Sequence, residues 1–233
     1  MNKGESEAFP TRLLTFPHTF MMNIALQSNS SDTGLTDTST KGLPQGYHFR
    51  RFTVDEYHAM ARAGILTEDD AIELLEGWLV HKMTKNPPHT ATTRYTRAAL
   101  EKCLPPGYFV DSQEPITLSD SEPEPDVFIV RGTMDDYTRI HPHAQDIVLV
   151  VEVADSSLEQ DRSAKKRIYA RDGIAVYWIA NLVEGQIEVY TQPSGPVRSP
   201  DYGSKAVYHA DDFVPVVINE KSIDLIKVAD LLP

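Results

Sequence analysis

Cysteine is almost missing from this chain: Cys103 is the one thiol in 233 residues. That excludes an intramolecular disulfide framework and a thiolate zinc site, and it fits a reducing cytoplasm. No stretch approaches the roughly 18 uncharged apolar residues that a membrane helix needs, so no membrane partner is expected. Positive charge is scarce as well. Lys and Arg number 22 against 34 Asp and Glu, a net charge of −12, so a grip on nucleic acid spread over the whole surface is not available and any phosphate binding must be local. Glycine-rich phosphate loops, nucleophile elbows and internal repeats are all lacking. What is present is ordinary for a soluble globular chain, with 41% hydrophobic and 24% charged residues at a length that suits one domain plus a tail.

Residues 1–44 read as a disordered tail, because Asn, Ser, Thr, Asp and Gly dominate from Gln27 to Gly42 and no period survives there. Pro17 and His18 interrupt the apolar run at 13–26 too early for a secretory core, and Met21 and Met22 offer alternative starts. Residues 45–233 read as one domain. Thr53 and Glu56 form a capping box that opens a short amphipathic helix closed by Gly64. A second capped segment spans 67–75, a strand follows at 78–83, and the longest helix is expected at 89–104, closed by Pro105, Pro106 and Gly107. Strands are expected at 108–110, 115–118, 126–130 and 147–153, a helix at 158–171, and a hairpin from 176–181 and 186–191 around Glu184 and Gly185. Helices alternating with strand clusters make this a mixed α/β domain.

The run Ile147 to Val153 is apolar at every position but Glu152, the pattern of an interior strand covered on both faces. An ionised carboxylate there costs several kcal/mol, to order of magnitude, unless it is paired or bound to a cation. Asp126 opens the apolar run Val127 to Val130 and puts a second carboxylate at a strand end. Two such groups that meet would bind a hard divalent cation through oxygen; two that do not meet simply cap their strands and face water. Counting 100° per residue from Leu158 places Lys165, with Ile168 and Tyr169, on the stripe facing the sheet, and turns Lys166 and Arg167 away. Lys165 therefore either meets the strand-end carboxylates or forms a surface pair with Asp161 at i,i+4. The same segment, Arg162 to Arg171, is the densest basic stretch in the acidic chain.

These residues resemble a known family. Glu73-Leu74-Leu75-Glu76-Gly77, Pro125-Asp126-Val127, Val151-Glu152-Val153-Ala154-Asp155-Ser156-Ser157, Asp161 to Lys165, Tyr169-Ala170 and Tyr177-Trp178, in that order over residues 50–193, resemble the Uma-type restriction-endonuclease family of the PD-(D/E)XK nuclease superfamily. The resemblance implies a restriction-endonuclease-like fold, a mixed central sheet flanked by helices. It implies Mg2+ or Mn2+ held by Asp126, Glu152 and the Val153 carbonyl, with DNA as partner. In the superfamily a lysine two positions after the Glu orients the attacking water, and Ala154 stands there in this chain. The Uma-type lysine lies on the following helix and matches Lys165, and the family's first acidic residue matches Glu73. The implied catalytic set is Glu73, Asp126, Glu152 and Lys165. A catalytically inactive nuclease-fold binding or scaffold module is the alternative, favoured by Ala154 and the negative net charge. A paired-carboxylate glycosidase is a third and poorer fit, since no aromatic sugar platform accompanies the acids.

Other groups have plainer readings. His141 and His143 lack a third ligand at zinc spacing and read as a surface loop. His89, at a helix start, reads as a cap or a support to the site, Cys103 as core, and Tyr177 and Trp178 as core or homodimer contacts. DNA, if bound, is expected on the basic helix 162–171.

Overall fold

The computed structural model describes residues 48–233; the tail expected at 1–44 lies outside the described residues. The capping box forms as read. The Glu56 amide donates to Thr53 Oγ1 at 3.2 Å, the Thr53 amide donates to Glu56 Oε2 at 3.0 Å, and helix α1 runs Val54–Arg62. The segment expected to be helical at 67–75 is a 3-10 turn, Glu68–Asp70, followed by strand β1, Ile72–Leu75. β1 pairs with β2, Trp78–His81, in an antiparallel hairpin. Its two turn residues, Glu76 and Gly77, both have positive φ, the geometry of a tight hairpin turn. Buried Leu74 and Leu75 pair with Leu79 and Trp78 of β2, and that tertiary pairing wins over the helical cap signal at Thr67.

Helix α2, Pro87–Cys103, starts two residues before expectation because prolines at its first positions lack an amide that would need a partner, while Asn86 caps the His89 amide at 3.0 Å. The main sheet has six strands: β3 (Tyr108–Asp111), β4 (Val127–Arg131), β5 (Ile147–Ala154), β6 (Val176–Asn181), β7 (Gln186–Pro193) and β8 (Tyr202–His209), adjacent in that order. Only β5 and β6 run parallel, and helix α3, residues 158–171, makes their crossover. The strand expected at 115–118 is reduced to one bridge, Thr117 to His143, because Pro115 and the turn at Ser119 to Ser121 leave it no ladder. β9 (Phe213–Ile218) and β10 (Lys221–Lys227) add a hairpin that the sequence reading did not anticipate.

Two apolar layers enclose the sheet. Val127, Ile129, Leu149, Val151, Val153, Trp178 and Ala180 pack on one side with Leu100 of α2 and with Val214 and Val216 of β9. Phe128, Val130, Val150, Ala154, Tyr177 and Ile179 pack on the other, against Ile168, Tyr169 and Ala170 of α3. Strand alternation decides where the charges go: Asp126 shares the parity of Phe128 and Val130, and Glu152 that of Val150 and Ala154, so both carboxylates belong to the α3 side. Tyr177 and Trp178 are fully buried core, which leaves them no role as homodimer contacts. Cys103 packs at the core edge, where burial pushes its thiol pKa up. Among the described residues no helix is long and apolar enough to cross a membrane.

The β1–β2 turn is a point where a side chain does not fit. Gly77 has φ +78°, and a Cβ there would lie 2.6 Å from Arg51 Cβ and 2.9 Å from the Phe52 carbonyl oxygen. Gly185, in the β6–β7 turn, has φ +65° and nothing within 4 Å. Chemical denaturation should therefore show Gly77→Ala losing on the order of 2 kcal/mol or more and Gly185→Ala about 1 kcal/mol. Equal losses would mean that the hairpin is not packed against residues 51 and 52.

Candidate active site

Helix α3 is compound, with an α-turn at Leu158–Gln160, a π-helical turn at Asp161–Lys165 and an α-helical end at Lys166–Arg171. A π turn has one more residue between bonded groups than an α turn and is commonest at functional sites. Its first and last residues, Asp161 and Lys165, are both buried, so the surface pair at i,i+4 that the spacing also allowed does not form.

The structure brings all four sequence-derived side chains to one cleft of about 60 Å³, whose lining also includes Val153, His89, Asp161, Lys82 and Lys85. Lys165 Nζ donates to Glu152 Oε1 at 3.0 Å and stands 3.9 Å from Glu73 Oε1. One helical turn on, Tyr169 donates its hydroxyl to the same Glu152 oxygen at 2.5 Å. Asp126 Oδ2 accepts the Val153 amide at 2.9 Å and lies 3.1 Å from His89 Nε2. A residue's N–H and C=O leave a strand on the same side, so the Val153 carbonyl also faces the edge beyond the end of β4, where Asp126 stands. Glu73 Oε2 accepts the Glu124 amide at 3.3 Å.

Four carboxylates, Glu73, Asp126, Glu152 and Asp161, thus surround one buried ammonium. Burial, reinforced by the charges of Asp126 and Asp161 and opposed by Lys165, raises the Glu152 carboxyl to about 8. Asp161 is pushed up to about 6, chiefly by burial, against the help of Lys165 and of the Ser157 hydroxyl that donates to it at 2.6 Å. Burial alone would pull the Lys165 ammonium down, but Glu152, Glu73, Asp161 and Asp126 outweigh it and hold its pKa above the usual lysine range. The directions agree: as a unit the cluster retains protons. Lys85 was not named from sequence, and Asp161, Ser157 and Tyr169 were named only within motifs, on the inward stripe or as a surface partner, with no role at the site. Asp161 had a signal, since it lies one turn before Lys165 on the same helical face; the others are set by tertiary approach.

Among the described residues no group of three or more His, Cys, Asp or Glu side chains converges closely enough to close around a metal ion. The donors available are two carboxylates and a main-chain carbonyl, which is compatible with a hard cation that keeps several waters and with no soft metal. His141 is exposed, His143 donates its amide to Asp146 at 3.0 Å, and neither lines the cleft, as the loop reading had it.

The basic helix is not a free cationic surface. Arg162 is bound by Glu184 and by Glu188, a fully buried carboxylate that also meets Lys205 at 2.8 Å. Lys166 pairs with Asp201 at 2.8 Å, Arg167 with Glu76 at 2.5 Å, and Arg171 with Glu76, Asp120 and Asp172. Although burial works against ionisation, Arg167 and Arg171 hold Glu76 below the ordinary carboxylate range, and this clamp ties the β1–β2 turn to α3. A phosphate expected at residues 162–171 would thus have to compete with an acidic partner at each of these cations.

Comparison with known proteins follows this geometry. No curated protein matches the chain. A crystal structure described as "a putative nuclease belonging to DUF820 from Anabaena variabilis ATCC 29413" superposes with a TM-score of 0.58 at 18% identity, covering 77% of this chain and 97% of that one, which shows a shared fold. The model of the Uma2 family, described as "Putative restriction endonuclease", matches residues 54–219, a span that holds Glu73, Asp126, Glu152 and Lys165. The chain belongs to the Uma2 family.

Proposed function

We propose that the protein is a divalent-metal-dependent endonuclease that hydrolyses DNA phosphodiester bonds, and that it works in the cytoplasm. The observation that supports this most is the convergence of Asp126 and Glu152, from the ends of two adjacent strands, beside a buried lysine in one cleft. Asp126, Glu152 and the Val153 carbonyl would hold Mg2+ or Mn2+. Such an ion, when bound, lowers the pKa of a water and offsets charge on phosphoryl oxygens.

The chain's own groups supply the rest. Lys165 and Tyr169 both donate to Glu152 Oε1 and so fix the carboxylate's orientation, leaving Oε2 free of these two donors. On Asp126 the Oδ2 atom accepts the Val153 amide, and His89 Nε2 stands 3.1 Å from the same oxygen. Lys165, the buried cation between Glu152 and Glu73, stands where it can orient a water or stabilise negative oxygen in the transition state. Glu73 holds Lys165 from the other side and completes the acidic wall. The scaffold reading has one observation in its favour: Ala154 is fully buried in the α3 layer, so no side chain there can replace the superfamily lysine. The position of Lys165 answers it, because the ammonium reaches the same carboxylate from the helix.

Nicking of supercoiled plasmid in magnesium tests the assignment. Asp126→Ala and Glu152→Ala should abolish metal-dependent cleavage, Lys165→Ala should lose on the order of 100-fold in rate, and Lys166→Ala, whose partner Asp201 lies outside the cleft, should cleave like wild type. Wild-type protein that never nicks, beside intact folding, would favour the scaffold.

A second expectation concerns the metal-free protein. Glu152 moves from an ordinary 4.5 to about 8 on folding and Asp161 from 3.8 to about 6, so the folded state binds these protons more tightly than the unfolded chain. Their contribution to stability is complete below pH 4 and is lost as pH rises, through about 6 for Asp161 and about 8 for Glu152, at up to about 1.4 kcal/mol per pH unit for each group. Melting with chelator from pH 5 to 8.5 should show this decline, Glu152→Gln should flatten its upper part, and millimolar magnesium should oppose it. A wild-type curve as flat as that of Glu152→Gln would mean that Glu152 is ionised without strain.

A further inference from the structure

A DNA phosphodiester entering this cleft meets five carboxylates, Glu73, Glu124, Asp126, Glu152 and Asp161, so a cation has to stand where the phosphate comes in. Three lysines line the cleft: Lys82, Lys85 and Lys165. Two of them are committed. Lys165 is enclosed against Glu152 and Glu73, and withdrawing it would strip a buried carboxylate of its partner. Lys82 Nζ is 2.5 Å from Glu124 Oε1. Lys85 is held differently. Its Nζ stands 3.9 Å from Asp126 Oδ1, beyond hydrogen-bond reach, and 38% of its side chain is exposed. It lies on the connection between β2 and α2, four residues before His89, whose imidazole already contacts Asp126.

We infer that Lys85 is the substrate-binding cation of this site, meeting a non-bridging oxygen of the DNA phosphate at the rim of the cleft while Lys165 remains inside with Glu152. A flexible ammonium in a loose, partly exposed ion pair can turn outward at little loss, since such a pair is worth about 0–1 kcal/mol. The alternative cations on α3 each already hold an acidic partner in the chain. The inference rests on the nuclease reading and goes past it, because it assigns phosphate capture to a residue outside the set Glu73, Asp126, Glu152 and Lys165.

Binding of a short fluorescent DNA duplex, measured by anisotropy over a range of salt with calcium in place of magnesium to hold cleavage back, tests it. Lys85→Ala should weaken binding on the order of fivefold to tenfold near 0.1 M salt and should flatten the slope of log affinity against log salt by about one, the signature of one lost phosphate contact. Lys85→Arg should restore both, and Lys166→Ala should change neither. Circular dichroism melts of each variant separate lost contact from lost fold. Wild type that binds while Lys85→Ala binds equally well with the same salt slope overturns this inference alone. Wild type that binds no DNA at low salt overturns the nuclease reading and the inference together.

Discussion

A carboxylate on a buried strand governs this structure. Glu152 lies on β5 between two apolar layers, and its ionised form is tolerable there only beside compensating charge. The chain supplies Lys165 and Tyr169, one turn apart on the helix that follows the strand, and both donate to a single oxygen. The rest of the local architecture serves that meeting. The π turn carries Lys165 and Asp161 inward together, and the salt bridges of Arg162, Lys166, Arg167 and Arg171 fasten α3 to β7, to Asp201 and to the β1–β2 turn that brings Glu73 in from the far side.

The same ties change the meaning of the chain's charge. Five cations within ten residues look like a nucleic-acid surface, but four of them are used to hold the helix and the fifth is Lys165. With the cations of the basic helix paired inside the chain and a net charge of −12, any phosphate binding has to be local. Charge engaged in holding this helix in place is less free for other partners, whereas Lys85 at the rim of the cleft is held only loosely.

Much of this was legible in the sequence because burial constrains pattern. The apolar run around Glu152 marked an interior strand, Asp126 stood at the mouth of a second one, and a count of helical angle put Lys165 toward the sheet. That count assumed a regular α-helix and survived the π turn because positions near Lys165 keep their inward face. Glu73 was identified by its motif while its element was misread, since the Thr67 cap signal is local and the pairing of β1 with β2 is not. Charge partners such as Glu76 with Arg167 are 91 residues apart, a separation at which no sequence period operates. The β9–β10 hairpin also escaped, its strands lying beyond residues 50–193, where the motifs concentrate.

The central claim is that four carboxylates and one lysine form a proton-retaining cluster, two of whose carboxylates, Asp126 and Glu152, are proposed to hold a divalent cation. Calorimetric titration of magnesium at pH 7, repeated in buffers of different ionisation enthalpy, counts the protons that leave as the ion binds. With Glu152 raised to about 8, binding should release close to one proton per ion, and the release should disappear in Glu152→Gln. Magnesium that binds without displacing a proton, or that does not bind at millimolar concentration, would contradict the account.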